Sequence, residues 1–374
     1  MPIGDPLTGP SQLSKHTDSK NGSDYLPMKT NEAERISSPL GSETLSDEPR
    51  TLNRQPLDVS VVVPLRNEAE SMSLVIAGLQ QQTYLPAEII LVDGGSTDDT
   101  VTIARRLTQG DVRFRIIEAG DATPGRGRNL GTERALHNWI AYADGGNRLE
   151  PTWLEYLVRE VESDSSVEVV YGNYEPVTET TFERAYALAY VAPKQERPGG
   201  WMRGPVVPSS LMRRDVWQRV AGFPDWRAGE DLTFLERIES GNFKTRWASQ
   251  ATVWWQLPPT LPLMFSKLVL YSRHNVWAGR QSSWHHGLAR NYLLYLPFIV
   301  LAFLHNFFWL VAPCLLWAAR VAKTLWRKRE GRTIWWALNP TRFFSTGFLM
   351  LSMDLATLVG WIQATLLRRW YQEE

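Results

Sequence analysis

Along the chain the spacing of apolar positions changes character three times. From Met1 to about residue 56 the apolar residues follow neither a helical nor a strand period, and Ser, Pro, Asp, Asn and Thr interrupt them every few positions. A segment of that composition buries too little to fold by itself, so a disordered tail is predicted over residues 1–56. Regularity begins at Asp58. Val59 to Leu65 (VSVVVPL) is a continuous β-branched run, the pattern of a strand buried on both faces. Met72, Val75, Ile76 and Leu79 then recur at helical spacing. The alternation continues through EIILVD (Glu88 to Asp93), a helix opened by Thr97-Asp98-Asp99, RFRIIEAG (Arg113 to Gly120), and a helix from about Gly127 to His137. WIAYAD (Trp139 to Asp144), the helix WLEYLVREVES and the strand VEVVYG (Val167 to Gly172) complete it. Strand and helix in turn predict a mostly parallel α/β sheet with flanking helices.

Past Gly172 the alternation weakens. Ser209 to Phe223 and Gly229 to Gly241 read as helices, and Lys244 to Trp255 reads as extended. Pro258, Pro259 and Pro262 mark a boundary, which gives a catalytic domain over 57–257 and a membrane-associated region over 258–374. Two apolar segments, 292–319 and 343–367, are each longer than the ~20 residues that cross a bilayer as a helix, so two spans are predicted. Arg320, Lys323, Arg327, Lys328, Arg329, Arg332 and Arg342 crowd the connection between them. Positive charge favours the cytosolic side, yet two simple spans leaving a cytosolic domain put this connection outside. A re-entrant or interfacial first segment, broken near His305-Asn306, removes the conflict. Asp354 inside the second segment is costly there, and is read as hydrogen-bonded to the neighbouring segment or to Ser352 or Thr357.

Charge and cysteine content exclude some classes. Lys plus Arg equal Asp plus Glu at 40 each, so no global charge points to nucleic acid. The single cysteine, Cys314, allows no intrachain disulfide and no cysteine metal site. The first thirty residues hold no apolar run, so no cleavable signal peptide is predicted.

Ligands of open α/β sheets bind beyond the carboxyl ends of the strands, and Asp93 and Asp144 both fall there. They belong to a longer series of blocks: VSVVVPLRNEAES, EIILVDGGSTDDT, GRGRNLGTERA, IAYADGGNRLEP and RRDVWQRVAGFPDWRAGEDLTFLER. In this order the blocks resemble the GT-A catalytic domain of the family 2 glycosyltransferases, over roughly residues 58 to 256. The resemblance implies a Rossmann-like GT-A fold and an inverting hexosyl transfer from a nucleotide-diphospho-sugar, a UDP-sugar by the family's habit. It implies a donor site formed by Pro64, Arg66, Asn67, Glu68, Asp93, Gly95, Ser96, Arg128, Asn129 and Asp144. Asp231 is the implied base, with Glu230 beside it as support or alternate.

Two features depart from the family pattern. Asp144-Gly145-Gly146 stands where relatives carry Asp-x-Asp, so the second carboxylate, the usual direct ligand of Mg2+ or Mn2+, is absent. Either Asp144 holds a mostly hydrated ion or arginines such as Arg126 and Arg128 balance the leaving diphosphate instead. The Gln-x-x-Arg-Trp block of processive members is also missing, which favours single-sugar transfer. Trp284, His285 and His286 lie in that region as an acceptor wall or as an interfacial aromatic belt. The implied acceptor is a lipid-linked saccharide or surface polysaccharide at the cell membrane, with the catalytic domain on the cytosolic side. The alternative is a catalytically degenerate scaffold subunit of a polysaccharide-export complex.

Overall fold

The computed structural model describes residues 56–367; the tail predicted over 1–56 falls almost wholly outside them. The continuous apolar runs form strands as their composition requires. β1 (Val59–Leu65) leads to α1 (Met72–Gln80), β2 (Glu88–Asp93), α2 (Thr100–Thr108) and β3 (Phe114–Glu118). α3 (Pro124–Arg134) starts earlier than its apolar spacing suggests, because Pro124 opens it and the Thr123 hydroxyl caps the Arg126 amide at 3.1 Å. β4 (Trp139–Tyr142), the short β5 (Asn147–Leu149), α4 (Trp153–Ser163) and β6 (Val169–Pro176) follow.

Then come elements that the periodicity does not announce. α5 (Thr181–Tyr190) begins with a capping box between Thr180 and Glu183, and β7 (Gln195–Arg197) and β8 (Gly200–Met202) form a hairpin of their own. The predicted helix over Ser209 to Phe223 is corrected: it divides into a strand, β9 (Ser210–Arg213), and a short helix, α6 (Arg214–Arg219). Ser210, Leu211 and Met212 are wholly buried because β9 is an interior strand, antiparallel to both β4 and β6. α7 (Glu230–Ser240) and β10 (Thr245–Trp255) complete the sheet region.

Strand order is β3-β2-β1-β4-β9-β6-β10-β5. The β1, β2, β3 and β4 pairings are parallel, as is β6 with β10, while β9 and β5 run against their neighbours. Most parallel strands therefore end at one rim, where Leu65, Asp93 and Glu118 lie in register. One apolar layer packs α1 and α4 on the sheet around Trp153, Leu154, Met72 and Ile76. The other packs Tyr142, Phe223 and Phe234 under α3 and α7.

Beyond β10 the chain is helical: α8 (Leu261–Trp277), α9 (Gln281–Leu304), α10 (Val311–Arg327), the short α11 (Ile334–Ala337) and α12 (Pro340–Leu367). Three helical stretches, not the two predicted, are long and apolar enough to cross a membrane: Trp284–Leu304, Phe307–Arg327 and Pro340–Leu367. The first apolar segment breaks at His305-Asn306, where the Asn306 side chain caps a single 3-10 turn before α10. α9 and α10 are consecutive apolar helices joined at this break. The far end of α10 returns to the sheet domain, where the Lys328 ammonium donates to the Ala187 and Leu188 carbonyls at 3.2 and 2.7 Å. The start of the basic connection thus lies beside α5. α12 differs from this pair. In its most apolar window 44% of the residues are buried, against 6% and 11% for the other two, because it packs along α8. Asp354 on α12 pairs with Arg320 and accepts from the Tyr292 hydroxyl at 3.0 Å, so of the predicted alternatives it is the neighbouring segment, and not Ser352 or Thr357, that supplies its partners.

Candidate active site

A cavity of about 710 Å³ opens at the strand rim. The end of β1, the Asp144-Gly145-Gly146 turn, the start of α7 and α8 line it. Pro64, Arg66, Glu68, Arg128, Asp144, Glu230 and Asp231 line it, so the structure brings together seven of the predicted site residues.

The others serve the frame. Asp93 is 4% exposed, and its carboxylate accepts from the Gly95 and Ser96 amides at 3.0 and 3.1 Å. It closes the turn after β2 and does not line the cavity. Gly95 has φ +80, a conformation that L side chains resist. Gly94 leaves no space for a side chain: an added Cβ would lie 2.6 Å from the Ala122 carbonyl oxygen. Asn67, at φ 56, receives the Thr97 amide on its side-chain oxygen at 2.8 Å, and its own amide donates to the Ser96 hydroxyl at 2.8 Å. Asn67 and Ser96 therefore lace the two rim loops to each other. Asn129 accepts from Trp217 Nε1 and the Phe223 amide, both at 2.9 Å, and donates to the Phe223 carbonyl. It fixes the Gly222-Phe223 turn that delivers α7. Arg126 is exposed and apart from the cavity.

Arg128 is the electrostatic centre. Its side chain is 4% exposed, and its two terminal nitrogens donate to Glu230 Oε1 at 2.9 Å and Asp144 Oδ1 at 2.8 Å. Burial opposes its charge, but Asp144 and Glu230 outweigh burial and hold its pKa above the ordinary arginine value. Phe223 lies beneath the guanidinium at 5.4 Å. Glu230 is buried, which pushes its carboxyl upward; Arg128 pulls it back and Asp231 raises it further. Asp231, one residue on, is half-buried and reaches the cavity, facing Tyr190 and Tyr271. Gly229, at φ +82, makes the sharp entry that presents consecutive acids to different surroundings.

Several lining residues carried no sequence signal. Arg227 joins Arg66 on the exposed Asp121, forming a basic rim. Tyr174, Tyr190, Trp255 and Tyr271 make an aromatic wall toward the apolar helices, joined by Trp284, which the sequence singles out. Trp284 also lines a second cavity, of about 290 Å³, beside Arg320 and Asp354. His285 is fully buried against Ser272 Oγ at 2.8 Å, so it belongs to helix packing, while His286 is exposed. Lys267 enters from α8, where only its isolation in the apolar LPLMFSKLVLY stretch sets it apart.

A mostly parallel sheet with this rim and these acids resembles a GT-A glycosyltransferase domain. Residues 60–220 match the Glycosyl transferase family 2 model. It is 29% identical to Glycosyltransferase AglE of Haloferax volcanii over 197 residues, 51% of this chain and 64% of that protein. It is 31% identical to Glycosyltransferase GlyG of Streptococcus pneumoniae over 117 residues, 31% of this chain and 38% of that one. The chain thus spans less than two thirds of either relative's length. Among solved structures, Mannosyltransferase PcManGT from Pyrobaculum calidifontis, in complex with GDP-Man and Mn2+, matches with a TM-score of 0.49 at 17% identity. That match covers 82% of this chain and 86% of that one.

Proposed function

We propose that the protein is an inverting glycosyltransferase that moves a single sugar from a nucleotide-diphospho-sugar, by family resemblance a UDP-sugar, to a membrane-proximal acceptor. The observation that carries this reading is the division of labour between two neighbouring acids. Glu230 is buried against Arg128, whereas Asp231 opens into a cavity with room for a donor. Asp231 accepts the proton of the acceptor hydroxyl as its oxygen attacks the anomeric carbon. The bond from that carbon to the diphosphate breaks on the opposite face, and the nucleoside diphosphate leaves with the electron pair. Pro64, Arg66 and Glu68 border the donor, and Arg128 fixes Glu230 and Asp144 with its two terminal nitrogens.

The aromatic wall leads from Asp231 to the apolar helices, which favours a lipid-linked saccharide or a growing surface polysaccharide as acceptor. The basic connection, which starts beside α5, favours a cytosolic active site. Nothing in the site favours the scaffold alternative. The test is turnover of a panel of UDP-, GDP- and dTDP-sugars by the purified chain, with polyprenyl-phosphate saccharides as acceptors. Release of nucleoside diphosphate with a product of inverted anomeric configuration supports the reading; binding of donors without any turnover overturns it.

A further inference from the structure

The Asp-x-Asp place is remodelled, not merely truncated. A Cβ added to Gly146 would lie 3.5 Å from both carboxylate oxygens of Glu68, so Glu68 already fills the direction a second motif carboxylate would take. Of these carboxylates, Glu68 uses Oε2 for the Ser71 hydroxyl at 2.7 Å, and Asp144 uses Oδ1 for Arg128. A hard divalent ion takes six or more oxygens. Here it would meet two partly used carboxylates, with a guanidinium and an ammonium already in the same charge cluster. Among the described residues no group of three or more His, Cys, Asp or Glu is placed to hold a metal. The donor set does not fit a divalent cation.

The cation that the place does contain is Lys267. It lines the cavity from α8, faces Glu68 and Asp144, and makes no direct ion pair among the described residues. The other cations have employment: both terminal nitrogens of Arg128 are taken, and Arg66 and Arg227 share Asp121 at the rim.

We propose that Lys267 stands in for the divalent cation, binding the donor's diphosphate and balancing the charge on the nucleoside diphosphate as it leaves. This rests on the glycosyl-transfer reading above. An ammonium is a compact charge with three donors and needs no preformed ligand sphere. Burial lowers the Lys267 pKa, while Glu68 and Asp144 raise it; a diphosphate beside it adds further negative charge and keeps it protonated.

The test is calorimetric titration of the full chain in detergent with UDP, GDP and UMP, in EDTA and then in Mn2+. Wild-type affinity for UDP or GDP is expected to be the same in both media. Lys267→Met is expected to weaken diphosphate binding by about tenfold or more, as loss of a charge-assisted contact does, while UMP binding stays nearly unchanged. Lys267→Arg is expected to retain diphosphate binding. Mn2+ tightening wild-type UDP or GDP binding by about tenfold, in the range a directly ligated ion supplies, overturns the proposal. Equal loss of UDP and UMP in both variants overturns it too, since that marks a structural role. Failure of the wild type to bind either diphosphate instead overturns the nucleotide-sugar reading, and this inference with it.

Discussion

Arg128 and Glu230 are 102 positions apart in sequence and 2.9 Å apart in space. The pair joins the helix after β3 to the helix that carries the acids, and Asp144 completes it from a third direction. Removing the cation strands the buried carboxylate of Glu230 and unpairs the partly exposed one of Asp144. Arg128→Met is therefore expected to destabilise the fold by about 3–5 kcal/mol, as for other broken buried pairs. Denaturant unfolding monitored by tryptophan fluorescence checks this. Arg128→Lys is not expected to rescue it, because one ammonium cannot reproduce the two-pronged contact.

The acids should separate in a kinetic assay. Asp231→Asn keeps size and removes the proton acceptor, so turnover is expected to fall by about 10²-fold or more with little change in donor Kd. Near-normal turnover would remove Asp231 from the role of base. Glu230→Gln is expected to show its main effect in thermal stability, since its carboxylate meets Arg128 at a buried point.

Glu68 gives a pH signature. Burial is the largest influence on its carboxyl and raises the pKa above 4.5; Asp144 adds to this, while Ser71 and Lys267 act against it. A raised acid is bound to its proton longer in the folded state, so the wild type loses stability as pH climbs from the unfolded value through the folded one. Glu68→Gln removes that loss. Melting curves from about pH 4 to pH 8 are expected to coincide at the acid end and diverge upward, with the variant the more stable. A gap that closes with rising pH would contradict the assignment.

Gly360 tests the link between the apolar helices and the cavity. A Cβ there would lie 2.4 Å from the Val269 carbonyl oxygen and 2.6 Å from Ser272 Cβ, so α12 and α8 must part to admit it. Gly360→Ala is expected to lower thermal stability and weaken UDP binding together, because α8 carries Lys267. Gly287→Ala, with nothing within 4 Å, is the control expected to change neither.

The sheet was legible where burial on both faces writes a continuous β-branched run, as at β1 and β2, or where an amphipathic helix shows its period, as at α4. β9 was not, because Leu211 and Met212 sit in a short stretch that is a strand only through the neighbours on either side of it. Among site residues, chain order alone pointed to Asp144, Glu230 and Asp231. Whether a polar side chain faces a ligand or its own turn is a matter of a few ångströms, and so the inward hydrogen bonds of Asp93 and Asn129 were beyond reach. Lys267 lay past three prolines, in a segment whose composition suggested lipid.

That segment has a bearing on how such a protein can be cut and recombined. α8 follows the prolines at 258 and 259, carries Pro262 in its first turn, and contributes Lys267, Tyr271 and Asn275 to the cavity wall. A fragment ending at residue 257 would keep the sheet and every acid of the site yet leave one flank of the cavity missing. A chimera that joined this sheet to another protein's membrane helices would receive a different active-site wall along with its new anchor.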